Sequence, residues 1–151
     1  MKLQIASQLA IYALLELARH PDRQLSVVEI AETYGVSTHH LAKVMHALGR
    51  ANLVRSVRGV GGGHQFCGNA RRTTLLDIVQ LFEDIAEPDA QGTGEATEAG
   101  RALRQVLSEI DDITRATLGS ITIATMLNLI DRRRPQPRAS TDERAASTAG
   151  V

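Results

Sequence analysis

Hydrophobic residues recur every three or four positions through the first third of the chain, which is the spacing of one face of an α-helix. Ser26 and Glu29 match a capping box, which satisfies the free backbone amides at a helix start, and Ser37 is a favourable N-cap. Gly35 supplies a turn between these two starts, because glycine accepts a positive φ without steric cost. The pattern therefore predicts three helices, at residues 6–19, 27–33 and 38–49.

The periodicity then shortens to about two, which is typical of β-strands. Residues 53–58 alternate in this way, the glycine-rich stretch 59–63 follows, and residues 64–67 are the expected return strand. A second capping box opens a further helix, expected at residues 75–85. Two short helices joined by a glycine turn and followed by a hairpin predict a winged helix-turn-helix. The expected fold class is mainly α with a small β-wing, to which a long dimerisation helix is added.

The second half of the chain is organised around one long amphipathic helix, expected from Arg101 to about Thr117. Residues 86–100 have almost nothing to bury and are expected to form a loop. A short final helix is expected near 121–130, and the polar tail after it is expected to be unstructured. The predicted divisions are a DNA-binding domain at 1–84, a loop at 85–100, a dimerisation helix and short C-terminal helix at 101–131, and a disordered tail at 132–151.

One face of the long helix carries an apolar stripe that requires a partner surface, and we expect it to form a homodimer. The residues of this stripe are Leu103, Val106, Leu107, Ile110 and Ile113.

The net charge of zero conceals a strong asymmetry. Residues 1–72 hold nine Lys/Arg and four Asp/Glu, a net charge of +5, whereas residues 73–131 hold three and eleven, a net charge of −8. A basic half can face a polyanion while the acidic half is turned away. Aromatic residues are only 3% of the chain, which favours an aliphatic, helical core. The absence of long apolar runs, of a signal-peptide pattern and of a second cysteine favours a cytoplasmic protein without membrane contact.

The polar face of the predicted third helix is the candidate DNA-reading surface, because the second helix of a helix-turn-helix lies in the major groove. The hairpin adds arginines beside a glycine tip, and arginine is the usual side chain inserted into a narrow minor groove. Two alternatives remain open at this point, a solvated polar helix face and a flexible hairpin with solvated arginines. The predicted DNA-binding residues are Ser37, Thr38, His39, His40, Lys43, Arg50, Arg55, Arg58, Gly61, Gly62, Gly63 and His64.

Other chemistry is poorly supported by the residues. We find no nucleophile with a base partner, no metal motif and no phosphate loop, so an enzyme is not expected. Gly59 and Gly61 do not continue into a dinucleotide-binding fingerprint. Cys67 is the one thiol, and we expect it to be a small buried hydrophobe. The alternative is a redox-sensitive residue near the DNA surface.

These segments together resemble the Rrf2 family of bacterial regulators. The resemblance covers residues 1–84 well and the long helix in layout. The block His40-Leu41-Ala42-Lys43-Val44 looks most like the nitric-oxide-responsive branch. The other matching segments are Tyr12-Ala13-Leu14, Glu29-Ile30-Ala31-Glu32, Gly35-Val36-Ser37, Leu53 to Gly59 with Gly61-Gly62-Gly63, and Leu75-Leu76-Asp77-Ile78-Val79.

The resemblance implies a homodimer with crossed long helices and a palindromic operator on double-stranded DNA. It also implies an iron–sulfur cluster, because many relatives carry three cysteines in the loop before the long helix. Residues 86–100 contain no cysteine or histidine, and Gln8 stands where some relatives have an acidic residue. Thiolates, with histidine as an occasional substitute, are the ligands such clusters require. We therefore expect a transcriptional repressor without a cofactor, and an iron–sulfur sensor with atypical ligands is the alternative.

Overall fold

The computed structural model describes residues 2–83 and 96–134. Its elements confirm the expected fold class of helices with one small β-wing. None of the helices in these two ranges is long and apolar enough to cross a membrane. The elements are α1 (Ile5–Arg19), α2 (Val27–Tyr34), α3 (Thr38–Arg50), β1 (Val54–Val57), β2 (Gly63–Phe66), α4 (Leu75–Val79), α5 (Glu98–Ser120) and α6 (Ile123–Arg133).

Helix α1 is the centre of the core and packs against α3, α4, α6 and β2. Its apolar residues at helical spacing are almost completely buried, and Leu14 and Leu17 have no exposed surface. The capping box predicted for α2 is present, because the Ser26 hydroxyl accepts from the Glu29 amide and the Glu29 carboxylate accepts from the Ser26 amide. Gly35 ends α2 with φ of 62°, as the turn requires.

The wing is a two-stranded antiparallel sheet in which Val54 pairs with Phe66 and Val57 with Gly63. A third segment joins it, because Leu25 forms a β-bridge with His64 through bonds of 3.0 and 2.7 Å. This bridge fixes the wing to the entrance of α2, and no sequence pattern at Leu25 predicted it.

The segment after α4 differs from the prediction of a helix reaching residue 85. The helix ends at Val79, and the following amides of Leu81 and Phe82 bond to carbonyls three residues earlier, which tightens the chain. The turn brings Glu83 to the start of α1, where its carboxylate accepts from the Gln4 amide and from the buried Ser7 hydroxyl. A contact across the fold thus replaces the last predicted turn. The predicted boundary at 84 lies outside the described residues.

Helix α5 begins at Glu98, three residues before the predicted start, so the predicted loop of 85–100 is wrong at its last residues. The Thr97 side chain accepts from the Gly100 amide and caps the helix. The rest of that predicted loop, up to residue 95, and the predicted tail after Arg134 lie outside the described residues.

The far end of α5 is fixed to the core. Leu118 is buried, and the turn into α6 is joined to the segment before α4 by backbone bonds from Leu75 to Ile121 and from Ile123 to Thr73. Helix α6 then packs on α1. The N-terminal part of α5 has no comparable contact, since Leu118 is its one buried residue in the described chain.

Candidate nucleic-acid interface

Helix α3 has two distinct faces. Leu41, Val44, Met45 and Leu48 are buried against the core. The other face presents exposed polar residues in its first two turns, and these are the predicted reading residues Thr38, His39, His40 and Lys43. The Ser37 hydroxyl accepts from the His40 amide at 3.4 Å, so the helix start is held while these side chains remain accessible.

The two wing arginines are in different situations. The Arg55 guanidinium donates to Oε1 of Gln65 at 2.6 and 3.1 Å, and Nε2 of Gln65 donates to the Pro21 carbonyl at 2.7 Å. Arg55 is therefore held along the sheet, on the face given by its cross-strand pairing with Gln65. Arg58 follows β1 in the hairpin and is exposed beside Val60, whose side chain is fully accessible at the tip. Of the two, Arg58 has the placement that minor-groove insertion needs.

The three predicted DNA-facing glycines also differ. Gly61 has φ of 75° and open space around its Cα, as expected of a hairpin tip. A Cβ on Gly62 would lie 2.4 Å from the Val57 carbonyl oxygen, and a Cβ on Gly63 would lie 2.7 Å from the Leu25 carbonyl. The protein's own backbone thus accounts for the missing side chains of Gly62 and Gly63, which the sequence analysis attributed to a close approach of DNA.

His64 is half-buried between the wing and α3, and it does not lie at the tip. Burial lowers its pKa, and the hydrogen bond to Leu25 opposes this effect only in part. It shares an open cleft with Arg50, which the sequence analysis named, and with His46 and Ser56. Ser56 was missed, although cross-strand register alone pairs it with His64.

Cys67 is exposed, so the expectation of a small buried hydrophobe is wrong. It follows β2 directly, because the return strand ends at Phe66, one residue before the predicted end. Its Sγ lies 3.2 Å from the Asn52 carbonyl oxygen. The chain leaves the core at this point, which periodicity within a four-residue strand cannot reveal.

The apolar stripe of α5 is accessible along its whole length. The exposed fractions are 60% for Leu103, 52% for Val106, 44% for Leu107, 52% for Ile110 and 67% for Ile113. Large apolar side chains in one continuous row are unusual on the surface of a monomer.

Comparisons with known proteins cover both the DNA-reading half and the α5–α6 half. A profile of the Rrf2 family, described as iron-dependent transcriptional regulators, matches residues 3–129. The HTH-type transcriptional regulator BadM of Rhodopseudomonas palustris is 48% identical over 134 residues, which are 89% of this chain and 86% of BadM.

Two solved structures share the fold at 26% identity. IscR of T. potens has a TM-score of 0.74 and covers 91% of this chain and 94% of its own. CymR of B. subtilis, described as the global cysteine regulator, has a TM-score of 0.75 with coverages of 85% and 98%.

The description of this family implies iron, but the residues of this chain do not fit an iron–sulfur cluster. Residues 86–100 offer neither thiol nor imidazole, and those are the groups that ligate such clusters. Within 2–83 and 96–134, no three His, Cys, Asp or Glu side chains are grouped as metal ligands would be. The one thiol, Cys67, lies beside the wing.

Proposed function

Because this chain belongs to the Rrf2 family of DNA-binding, non-enzymatic transcriptional regulators, we propose that it acts in the cytoplasm as a homodimeric repressor of a palindromic operator. The observation that carries the proposal is the accessible polar face of α3 directly beside a basic wing. Thr38 and His40 read base edges from the first turn of α3, and Lys43 contacts a phosphate or a guanine edge. Arg58 enters the adjacent minor groove.

Dimerisation through α5 is supported by the exposed stripe from Leu103 to Ile113. Burying this stripe against a second copy removes apolar surface from water, which is the main driving force of association. Two-fold symmetry then presents two α3 helices to one side of the duplex. Half-sites of such an operator are separated by about 34–36 Å or a multiple of it.

Repression is favoured over activation by the economy of the chain. Beyond the DNA-reading half, the described residues form only the α5–α6 unit. A protein built in this way regulates most simply by occupying a promoter. In transcription assays with purified polymerase, we expect transcript from an operator-bearing promoter to fall as the protein is added. A rise in transcript would overturn the repressor assignment.

The DNA-reading assignment is tested by selecting duplexes from a random library and measuring affinity at several salt concentrations. We expect a palindromic consensus and a steep loss of affinity between about 50 and 200 mM salt. Thr38→Ala and His40→Ala should each relax preference at one base pair by about 1–3 kcal/mol. Arg58→Ala should weaken binding to all sequences alike.

Thr125→Ala is the matched control, since Thr125 is an exposed threonine at the start of a helix on the far unit. It should leave both affinity and consensus unchanged. Equal losses on selected and random duplexes for Thr38→Ala and His40→Ala would refute base reading by α3. Failure to select any sequence would refute the operator itself.

A further inference from the structure

The cleft between α3 and the wing has a composition that the reading of base edges does not explain. Its floor is apolar, with Val27 and Met45, and its walls carry His46, Arg50, Ser56 and His64. No carboxylate lines it. A groove that offers a guanidinium, two imidazoles and a hydroxyl, without an acidic residue, is suited to an oxyanion.

The location of the cleft indicates which oxyanion this is. A duplex that receives α3 in its major groove and the wing tip in the adjacent minor groove has one backbone strand between the two grooves. That strand must cross the surface between α3 and the wing, where the cleft lies. The argument rests on the proposed function, because it assumes this mode of docking.

We propose that the cleft binds a backbone phosphate of the operator on the strand that separates the two grooves. The Arg50 guanidinium and the His46 imidazole donate to its non-bridging oxygens, and the Ser56 hydroxyl donates from the wing. The phosphate thereby connects the helix to the wing and fixes the angle at which both enter the DNA. Phosphate contacts of this kind position a protein and carry no base information.

Two further observations bear on the site. Nδ1 of His64 is buried and has no hydrogen-bond partner among the described residues, so the cleft holds polar capacity that the free protein does not use. Arg50 lies in the last turn of α3, where the negative end of the helix dipole repels an anion. Arg50 must therefore do more than offset the dipole, and its effect on DNA binding separates the two roles.

The experiment uses a selected operator duplex in which one phosphate at a time is replaced by an uncharged methylphosphonate. We expect the wild type to lose affinity at several positions and Arg50→Ala to become insensitive at one or two adjacent positions. The slope of log K against log salt should fall in magnitude by about 0.9 for Arg50→Ala, with affinity about tenfold lower on selected and random duplexes alike.

Ser56→Ala provides a second variant that changes no charge. It should keep the salt slope and lose affinity only when the same phosphate is intact. Arg101→Ala is the charge-matched control, because Arg101 lies at the start of α5 and donates to the Ala96 carbonyl. Its slope should equal that of the wild type. Circular dichroism establishes that each variant is folded.

A free anion of the same chemistry is distinguished by titrating the protein alone with inorganic phosphate while the imidazole resonances of His46 and His64 are followed. Shifts only at tens of millimolar phosphate, together with the position-specific insensitivity, support the proposal. If Arg50→Ala responds to every methylphosphonate as the wild type does, the proposal is overturned, and tight binding of free phosphate would then assign the cleft to a soluble anion. Loss of all DNA binding by the wild type would instead contradict the proposed function.

Discussion

Replacing Gly63 by alanine tests whether the wing glycines serve the fold. A Cβ there would lie 2.7 Å from both the carbonyl carbon and the oxygen of Leu25. These backbone atoms belong to the bridge in which Leu25 and His64 exchange bonds of 3.0 and 2.7 Å, so they cannot move without weakening it. Overpacking of this kind costs about 1–3 kcal/mol, and each weakened bond adds about 1 kcal/mol. We therefore expect Gly63→Ala to lower the free energy of unfolding by about 2 kcal/mol.

Gly49→Ala is the matched control, because the same substitution there should have the opposite sign. Gly49 lies within α3, and a Cβ would meet only the Val54 carbonyl oxygen at 3.8 Å, an ordinary contact. Alanine in a helix interior is more stable than glycine by roughly 0.5–1 kcal/mol.

Urea denaturation followed by circular dichroism measures both effects, at one protein concentration because self-association raises apparent stability. With a urea dependence of about 2 kcal/mol per molar, the Gly63→Ala midpoint should fall by about 1 M. An unchanged midpoint for Gly63→Ala, or an equal fall for Gly49→Ala, would refute the packing role of Gly63.

Four other expectations follow from the described contacts. Ile110→Asp should weaken the dimer more than about 100-fold in sedimentation experiments, since it would bury an unpaired charge in each copy; an unchanged dimer would exclude the α5 stripe as the interface. Glu83→Gln should lower the free energy of unfolding by about 1 kcal/mol, because the carboxylate at the start of α1 is neutralised; stability equal to the wild type would show that the charge is unimportant. Burial, followed by the nearby Glu16 carboxylate, raises the pKa of Tyr34 to about 12; the folded state favours the protonated phenol, so this contribution to stability is complete below about pH 10 and is lost towards pH 12, and alkaline denaturation of Tyr34→Phe should lack that part of the loss. Cys67→Ser should keep DNA affinity under reducing conditions, as gel-shift titration would measure; loss of an oxidant response present in the wild type would identify the exposed thiol as a sensor.

The sequence by itself determined the local features. Helix starts at Ser26, Ser37 and Thr74 depend on side chains within three residues of each cap, so a linear reading identifies them. The turn at Gly35 and the two faces of α3 follow in the same way from φ preference and periodicity. The apolar stripe of α5 could also be recognised from spacing alone.

Tertiary structure decided the features that depend on residues distant in the chain. The end of α4 is set by the reach of Glu83 to Gln4, and the position of Gly63 by the backbone of Leu25. Arg55 is held by Gln65 and, through it, by Pro21, although its residue type suggested a free contact with DNA. Periodicity reports which side of an element is apolar, but it carries no information on which distant backbone or side chain approaches that element. Contacts across the fold therefore determined which of the predicted DNA-facing residues remain available to DNA.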